Sequence, residues 1–363
     1  MASLKTTYQV EYIWLGGDGE FRSKVRCFLS YTDVSPQIFN RMLITDWNYD
    51  GSSTGQATTE NSEVILVPVR TYSDRSDPTR YYTLCETFIM QVDISGNTTR
   101  IPHKTNLRNA LSDLHTQIDT LDIWFGFEQE FFIFDLMRNS ILGVYDDMPE
   151  QGQYYCNIQA IKDYPYDRLH PRSLFNTRTM TEAITKRCID LELGITGWNL
   201  EVAPGQTEIQ IFGHGIKACD DLMMLRYLTH RVLADHAMTP IFDPKPLGSK
   251  WNGTGLHTNV STEATRKRGG LEVIYKYLQA FEATHTDHIA VYGTGNEERL
   301  TGIHETSSMS KFTWSVGGRN TSVRIPRQTA EDKMGYFEDR RPAGNACPYV
   351  VAKRILDTII NTP

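Results

Sequence analysis

The sequence predicts an α+β protein in which a small strand-rich domain, residues 1–98, precedes a larger mixed domain, residues 99–363. Three observations carry this expectation. Before residue 100 the apolar residues gather in short β-type runs, and after it helical spacing alternates with strand-like stretches. At 363 residues the chain can hold two domains and at least one large core. Its composition, 40% hydrophobic and 22% charged, is that of an ordinary globular protein, with no internal repeat or low-complexity segment.

The elements follow in order. VEYIWL (10–15) and KVRCFLSY (24–31) read as strands around LGGDGEFRS, whose Gly-Asp-Gly is a hairpin signal. EVILVPVR (63–70) and YYTLCETFIMQVDI (81–94) add two more strands, and the texture changes after SGNTTRIP. Leu107, Ala110, Leu111, Leu114 and Ile118 then fall at helical spacing. WFGFEQEFFIF (124–134) and NLEVAPGQTEIQIF (199–212) are strand-like, the second broken by a Pro-Gly turn. Long helices with an apolar stripe are expected over 218–238 and 269–285, and PYVVAKRILDTII closes the chain as another.

A net charge of -7 argues against nucleic acid or a polybasic membrane surface as the main partner. No apolar run reaches transmembrane length and MASLKTTYQ is not a secretory signal, so the expected location is the cytoplasm. Six scattered cysteines without a CxxC pair read as reduced interior thiols.

The chemistry lies in the acids. Glu128 and Glu130, two apart on an aromatic strand, point to one face, where like charges repel and resist desolvation. If Pro204 and Gly205 are the central turn residues, Glu201 and Glu208 face each other across a second hairpin. One such pair is also what a half-exposed strand edge gives; two suggest bound divalent cations. His257 in WNGTGLHTNVST and Glu338 in GYFEDRRPAGN extend the set, although a lone histidine is more often structural and a charge run more often solvated. Five glutamates and one imidazole suit Mg²⁺ or Mn²⁺ rather than structural zinc. Arg299, Arg319, Arg324 and Arg340 lie among turn residues, and arginines facing carboxylate-bound metals are recurring equipment of phosphoryl transfer. Neither a P-loop nor a kinase motif is present.

Seven stretches together resemble glutamine synthetase of the eukaryotic class II type: WNYDGSSTGQA (47–57), WFGFEQE (124–130), EVAPGQTE (201–208), NGTGLHTN (252–259), ERLTGIHET (298–306), NTSVRIPR (320–327) and GYFEDRRPA (335–343). They run in the family's order across nearly the whole chain, and 157–179 matches least. The resemblance implies a β-grasp-like N-terminal domain, then a catalytic domain with a curved antiparallel sheet and surrounding helices. It implies ligation of ammonium to the γ-carboxylate of glutamate through γ-glutamyl phosphate, with ATP as co-substrate and two or more Mg²⁺ or Mn²⁺ ions.

By the same resemblance Glu130, Glu201 and Glu208 match ligands of one metal, and Glu128, His257 and Glu338 those of a second. Asp50 matches the residue that binds ammonium and takes its proton, and Glu305 the flap residue. Arg299, Arg340, Asn252 and Gly253 match the glutamate side. Arg319 and Arg324 match residues around the transferred phosphate and nucleotide, while Trp124, Asn259, Ser261 and Tyr336 match positions that pack or bond ATP. A ring oligomer, a decamer, is implied, with Asp50 supplied to a neighbouring subunit's site. Thr207, where the pattern usually has Trp, Leu256, where Cys is common, and Glu298 beside Arg299 depart from the family without removing a ligand. A ligase for another amine, or a non-catalytic scaffold, remains the alternative.

Overall fold

A computed structural model of the chain describes residues 6–30, 44–92, 95–144, 152, 154–157 and 172–362. Tyr31, Asp93 and Ile94 of the expected strands, and 158–171 of the unmatched stretch, lie outside the described residues. Contacts divide the chain into two compact units, Met1–Asp113 with Asp190–Glu192, and Leu114–Ile189 with Leu193–Pro363.

The first unit is built on one sheet. Its strands are β1 (Thr6–Leu15), β2 (Phe21–Ser30), β3 (Trp47–Asp50), β4 (Glu63–Ser73), β5 (Arg80–Val92) and β6 (Thr98–Pro102), in the order β2-β1-β5-β4-β3 with β6 also on β5. β1 and β5 run parallel and every other pair antiparallel. The Gly-Asp-Gly hairpin forms: Leu15 pairs with Phe21, and the amide of Gly16 donates to the carbonyl of Glu20 at 2.8 Å. The division between units falls beyond the 98/99 line read from texture. SGN is the turn of a hairpin, with Gly96 at φ 82, and it returns β6 onto β5. Alternate β1 side chains, Tyr8, Val10, Tyr12 and Trp14, pack with Leu66 and Tyr81.

The second unit carries a nine-stranded sheet. The helical spacing around Leu111 and Ile118 is realised in two pieces, α1 (Asn109–Ser112), which closes the first unit, and α2 (His115–Leu121), which opens the second. The sheet contains β7 (Trp124–Asp135), β8 (Ser140–Ile141), β9 (Ile195–Leu200), β10 (Gln206–His214), β11 (Met238–Ile241), β12 (Leu256–Ser261), β13 (Trp314–Val316), β14 (Val323–Ile325) and β15 (Phe337–Asp339). Their order is β13-β14-β15-β12-β7-β10-β9, with β8 and β11 also on β7, and only β13–β14 is parallel. The unbroken apolar run of β7 is explained by its central place: Phe125, Phe127, Phe131, Phe132 and Ile133 are all fully buried.

The helices are α3 (Arg172–Asp190), α4 (Ile216–Ala234), α5 (Gly270–Ala283), α6 (His285–Ile289), α7 (Arg327–Asp332) and α8 (Pro348–Ile360). α4 is apolar on nearly all sides because it is sandwiched, packing on β7, β10 and β11 and on α8. It stops before the expected 238, since Ala237 at φ 54 turns the chain into β11. α5 likewise ends at Ala283, and Thr284 separates it from α6.

Two expectations are corrected. Glu201 and Glu208 are not opposite one another. Thr207 pairs with Leu200 and Glu208 with Asn199, because Val202, Ala203, Pro204 and Gly205 all belong to the turn instead of Pro204 and Gly205 alone. Nor are all the thiols interior: all six are free, but Cys27, on edge strand β2, and Cys156 are exposed.

Candidate active site

The middle of the second sheet gathers the acids. In the β10–β7 ladder Glu208 pairs with Glu130 and Gln210 with Glu128, while in the β12–β7 ladder His257 pairs with Glu128. β12 is flanked in turn by β15, where Asn259 pairs with Glu338. Four neighbouring strands, β15, β12, β7 and β10, thus bring Glu338, His257, Glu128, Glu130 and Glu208 to one face from widely separated parts of the sequence. The Nδ1 atom of His257 lies 3.3 Å from Glu128, 3.6 Å from Glu338 and 3.8 Å from Glu130. One ligand atom from each of Glu128, His257 and Glu338 lies within 4.8 Å of the others, and the same holds for Glu130, Glu208 and His257. The histidine therefore joins both groups, whereas Glu201 stands outside them, its carboxylate accepting from Asn199 at 2.8 Å.

Burial makes this cluster tense. Glu130, Glu201 and Glu208 are each less than a tenth exposed. Desolvation first, and then neighbouring carboxylates, pushes the carboxyl of each up to about 8. His257, also buried, is held well below its usual value by desolvation and by Arg340, so its ring is neutral. Buried oxygens repelling one another, with a neutral imidazole among them, form a hard donor set that fits a divalent cation.

Arginines rim the cluster. Arg340 donates to Glu338 at 2.6 Å and to the Glu305 carbonyl at 3.3 Å, and Arg324 donates to the other Glu338 oxygen at 3.1 Å. Arg319 forms a partly exposed ion pair with Glu305 at 2.9 Å. Arg299 is buried against the Arg340 and Arg341 carbonyls and 3.1 Å from Nε2 of His257; burial pulls its guanidinium down to about 10. Asn252, Gly253, Arg299, Glu305, Arg319 and Arg340 line one pocket with Glu130, Glu201 and His257. Gly253 is required there, since a Cβ would lie 2.0 Å from the Pro244 carbonyl. His304 and Glu305 both have positive φ, 54° and 63°, a conformation that costs about 1 kcal/mol or more per non-glycine residue.

A second cavity of about 560 Å³ opens on the other side of Glu128, lined by Trp124, Asn259, Ser261 and Tyr336 with Phe212 and Arg266. Trp124 stacks on Phe212 with ring centroids 5.0 Å apart. Arg266 was not singled out by the sequence, yet it donates to Ser261 at 2.9 Å and to Asp122 at 2.5 Å. Gln206 was also missed; it spans Glu130 at 3.3 Å and the Gly253 carbonyl at 3.0 Å. Its signal was its place in EVAPGQTE, whereas nothing in TRKRGG distinguishes Arg266 from its basic neighbours.

Asp50 belongs to the first unit. It is exposed at the end of β3 and caps the short turn Gly51–Thr54, accepting from the Ser52 amide at 3.0 Å and hydroxyl at 2.6 Å. Those bonds hold its carboxyl below the usual range.

An acid-lined, arginine-rimmed cleft beside an aromatic cavity is the equipment of an enzyme class that handles anions, and its acids could hold a divalent cation. Comparison with known proteins gives the particular family. Residues 102–361 match the family described as "Glutamine synthetase, catalytic domain". A glutamine synthetase of Emericella nidulans is 41% identical over 96% of this chain and 91% of its own length. A glutamine synthetase cytosolic isozyme of Pinus sylvestris is 38% identical, covering 96% and 93%. The chain belongs to the glutamine synthetase family. A solved structure described as "Apo GmaS without ligand" shares the fold, with a TM-score of 0.70 at 19% identity over 98% of this chain and 77% of that one.

Proposed function

We propose that the chain catalyses ATP-dependent ligation of ammonium to the γ-carboxylate of L-glutamate, giving L-glutamine, ADP and phosphate. Membership of the family carries the reaction, and the cluster of Glu128, Glu130, Glu208, His257 and Glu338 is the observation in this chain that supports it most directly. The family generally uses ATP and a divalent metal. We assign the ion here as Mg²⁺ or Mn²⁺, held by Glu128, His257 and Glu338 and by Glu130, Glu201 and Glu208. When bound, the cations would neutralise the cluster and attract phosphate oxygens.

The residues divide the work. A glutamate γ-oxygen attacks the γ-phosphorus of ATP, ADP leaves, and an acyl phosphate results. Arg319 and Arg340 offset the repulsion between the two anions, and Arg324 faces the nucleotide phosphates. Trp124 and Tyr336 stack or pack the base, with Asn259 and Ser261 as polar partners. Arg299, Asn252 and Gly253 hold the amino-acid end. Ammonium becomes a nucleophile only on losing a proton, which Asp50 or Glu305 accepts; ammonia then attacks the acyl carbon and expels phosphate. The acyl phosphate would hydrolyse in water, so the segment carrying His304 and Glu305 serves as its cover.

Asp50 sits on the first unit, and we extend the reading to a ring oligomer, a decamer, in which it serves a neighbouring subunit, and to a cytoplasmic location. Among the described residues no helix is long and apolar enough to cross a membrane. Purified protein with glutamate, ATP, Mg²⁺ and ammonium should release glutamine and phosphate in equal amounts. Phosphate release coupled only to another amine would replace ammonium in this reading, and absence of metal-dependent turnover would overturn it.

A further inference from the structure

Behind the acid cluster, on the opposite face of β7, lies a buried cation that the reaction does not use. Gln129 stands between Glu128 and Glu130 in sequence, so its side chain projects away from theirs, and it is fully buried. Its amide nitrogen donates to the Glu130 carbonyl at 2.8 Å and to the Gly344 carbonyl at 3.0 Å. Its amide oxygen accepts from Nε of Arg226 at 2.8 Å. Arg226, in the interior of α4, also donates to the Gly344 and Ala346 carbonyls at 2.8 and 2.9 Å, and its guanidinium lies over the Phe242 ring.

Among the described residues, every partner of Arg226 is neutral. Burying a guanidinium without a carboxylate is expensive, and an apolar side chain of similar volume would avoid that cost. What the arginine gains is reach. Its fork and Gln129 tie the centre of β7, which carries Glu128 and Glu130, to the segment that follows Glu338 and Arg340. The same segment is sewn to the start of β12 and the residues just before it by backbone bonds, Leu256 to Pro342 at 2.9 Å and Gly344 to Thr254 at 3.0 Å. The two halves of the acid cluster are therefore joined from behind by side chains whose own hydrogen bonds go to one another and to backbone carbonyls.

We propose that Arg226, acting through Gln129 and the Gly344 and Ala346 carbonyls, is a positioning residue that fixes the spacing between the β7 carboxylates and Glu338 for divalent-cation binding. This rests on the metal-centre reading above. Outer partners that orient metal-binding side chains typically change metal affinity by roughly 10- to 100-fold when removed.

The test is Mn²⁺ alone, titrated calorimetrically into native protein, R226M and R226K, with folding checked by circular dichroism and thermal unfolding. Folded R226M is expected to bind Mn²⁺ about 10- to 100-fold more weakly than native protein. R226K keeps charge and stem but loses the planar fork, and its affinity should fall between the two. Should R226M fail to fold, R226K decides the matter. A folded variant with native affinity, even if less heat-stable, would mean that the network only packs the core. Native protein that binds no Mn²⁺ would instead bring down the metal-centre reading and this inference with it.

Discussion

Glu208 lies directly opposite Glu130 in the β10–β7 ladder, both buried, and among the described residues neither forms an ion pair with arginine or lysine. Like charges placed so are destabilising in a sheet unless protonated or bridged. The pair therefore costs the fold once both carboxyls ionise, and under the proposed metal-centre reading a bound cation would relieve that cost.

Replacing Glu130 with Gln tests the pair at nearly constant shape. The variant should fold, with unfolding temperature at pH 8 equal to or above that of the metal-free native protein. Its metal-dependent phosphate release should fall by roughly 10²-fold or more, since several kcal/mol of charge stabilisation are lost. Full activity would remove Glu130 from the metal centre.

The raised carboxyls set a pH dependence of stability. Each of Glu130, Glu201 and Glu208 titrates near 4.5 when unfolded and is pushed up to about 8 when folded. Between those values the native state binds more protons, so metal-free protein should lose stability as pH rises through that window. In a protein of this size about 1 kcal/mol corresponds to roughly 1–2 °C of unfolding temperature. Scanning calorimetry from pH 5 to 8.5 should show the decline, and saturating Mg²⁺ should flatten it.

The aromatic cavity makes a separate claim. Trp124→Ala removes the ring that stacks on Phe212, and an aromatic stack on a base is worth about 1–3 kcal/mol. The KM for ATP should rise roughly 10-fold or more with little change in the KM for glutamate. Equal effects on both would show that Trp124 only supports the sheet.

Asp50→Asn separates proton acceptance from folding. Asn retains an oxygen to cap the Gly51–Thr54 turn, so stability should hardly move. Turnover with ammonium should drop by about 10²-fold or more. Hydroxylamine, already a neutral nucleophile at pH 7, should be affected much less, and equal losses for both would argue against proton transfer.

How far the sequence could be read is visible at particular residues. Period-2 spacing placed Glu128 and Glu130 on one face because strand geometry leaves no other choice. The closing helix was found at its observed ends, Pro348–Ile360, because Pro at its first position marks the start. The Glu201–Glu208 register was missed because a Pro-Gly pair does not specify how many flanking residues leave the ladder. His257 was named with one acid group, but its place at the junction of both, and Gln129 and Arg226 behind them, were invisible for another reason. Their roles depend on which strands become neighbours, and β12-β7-β10 is not the order of the chain.

The three high-titrating glutamates have one further meaning. At neutral pH they hold hydrogen ions that an incoming divalent ion must displace, so the cluster behaves like an ion-exchange resin. Charging the protein with Mg²⁺ in an unbuffered solution would acidify that solution, and stripping the ion would draw the acid back. On the proposed metal-centre reading, the concentration of free metal needed to fill the cleft would therefore fall as the surroundings become more alkaline, coupling readiness to the pH around the protein before any substrate arrives.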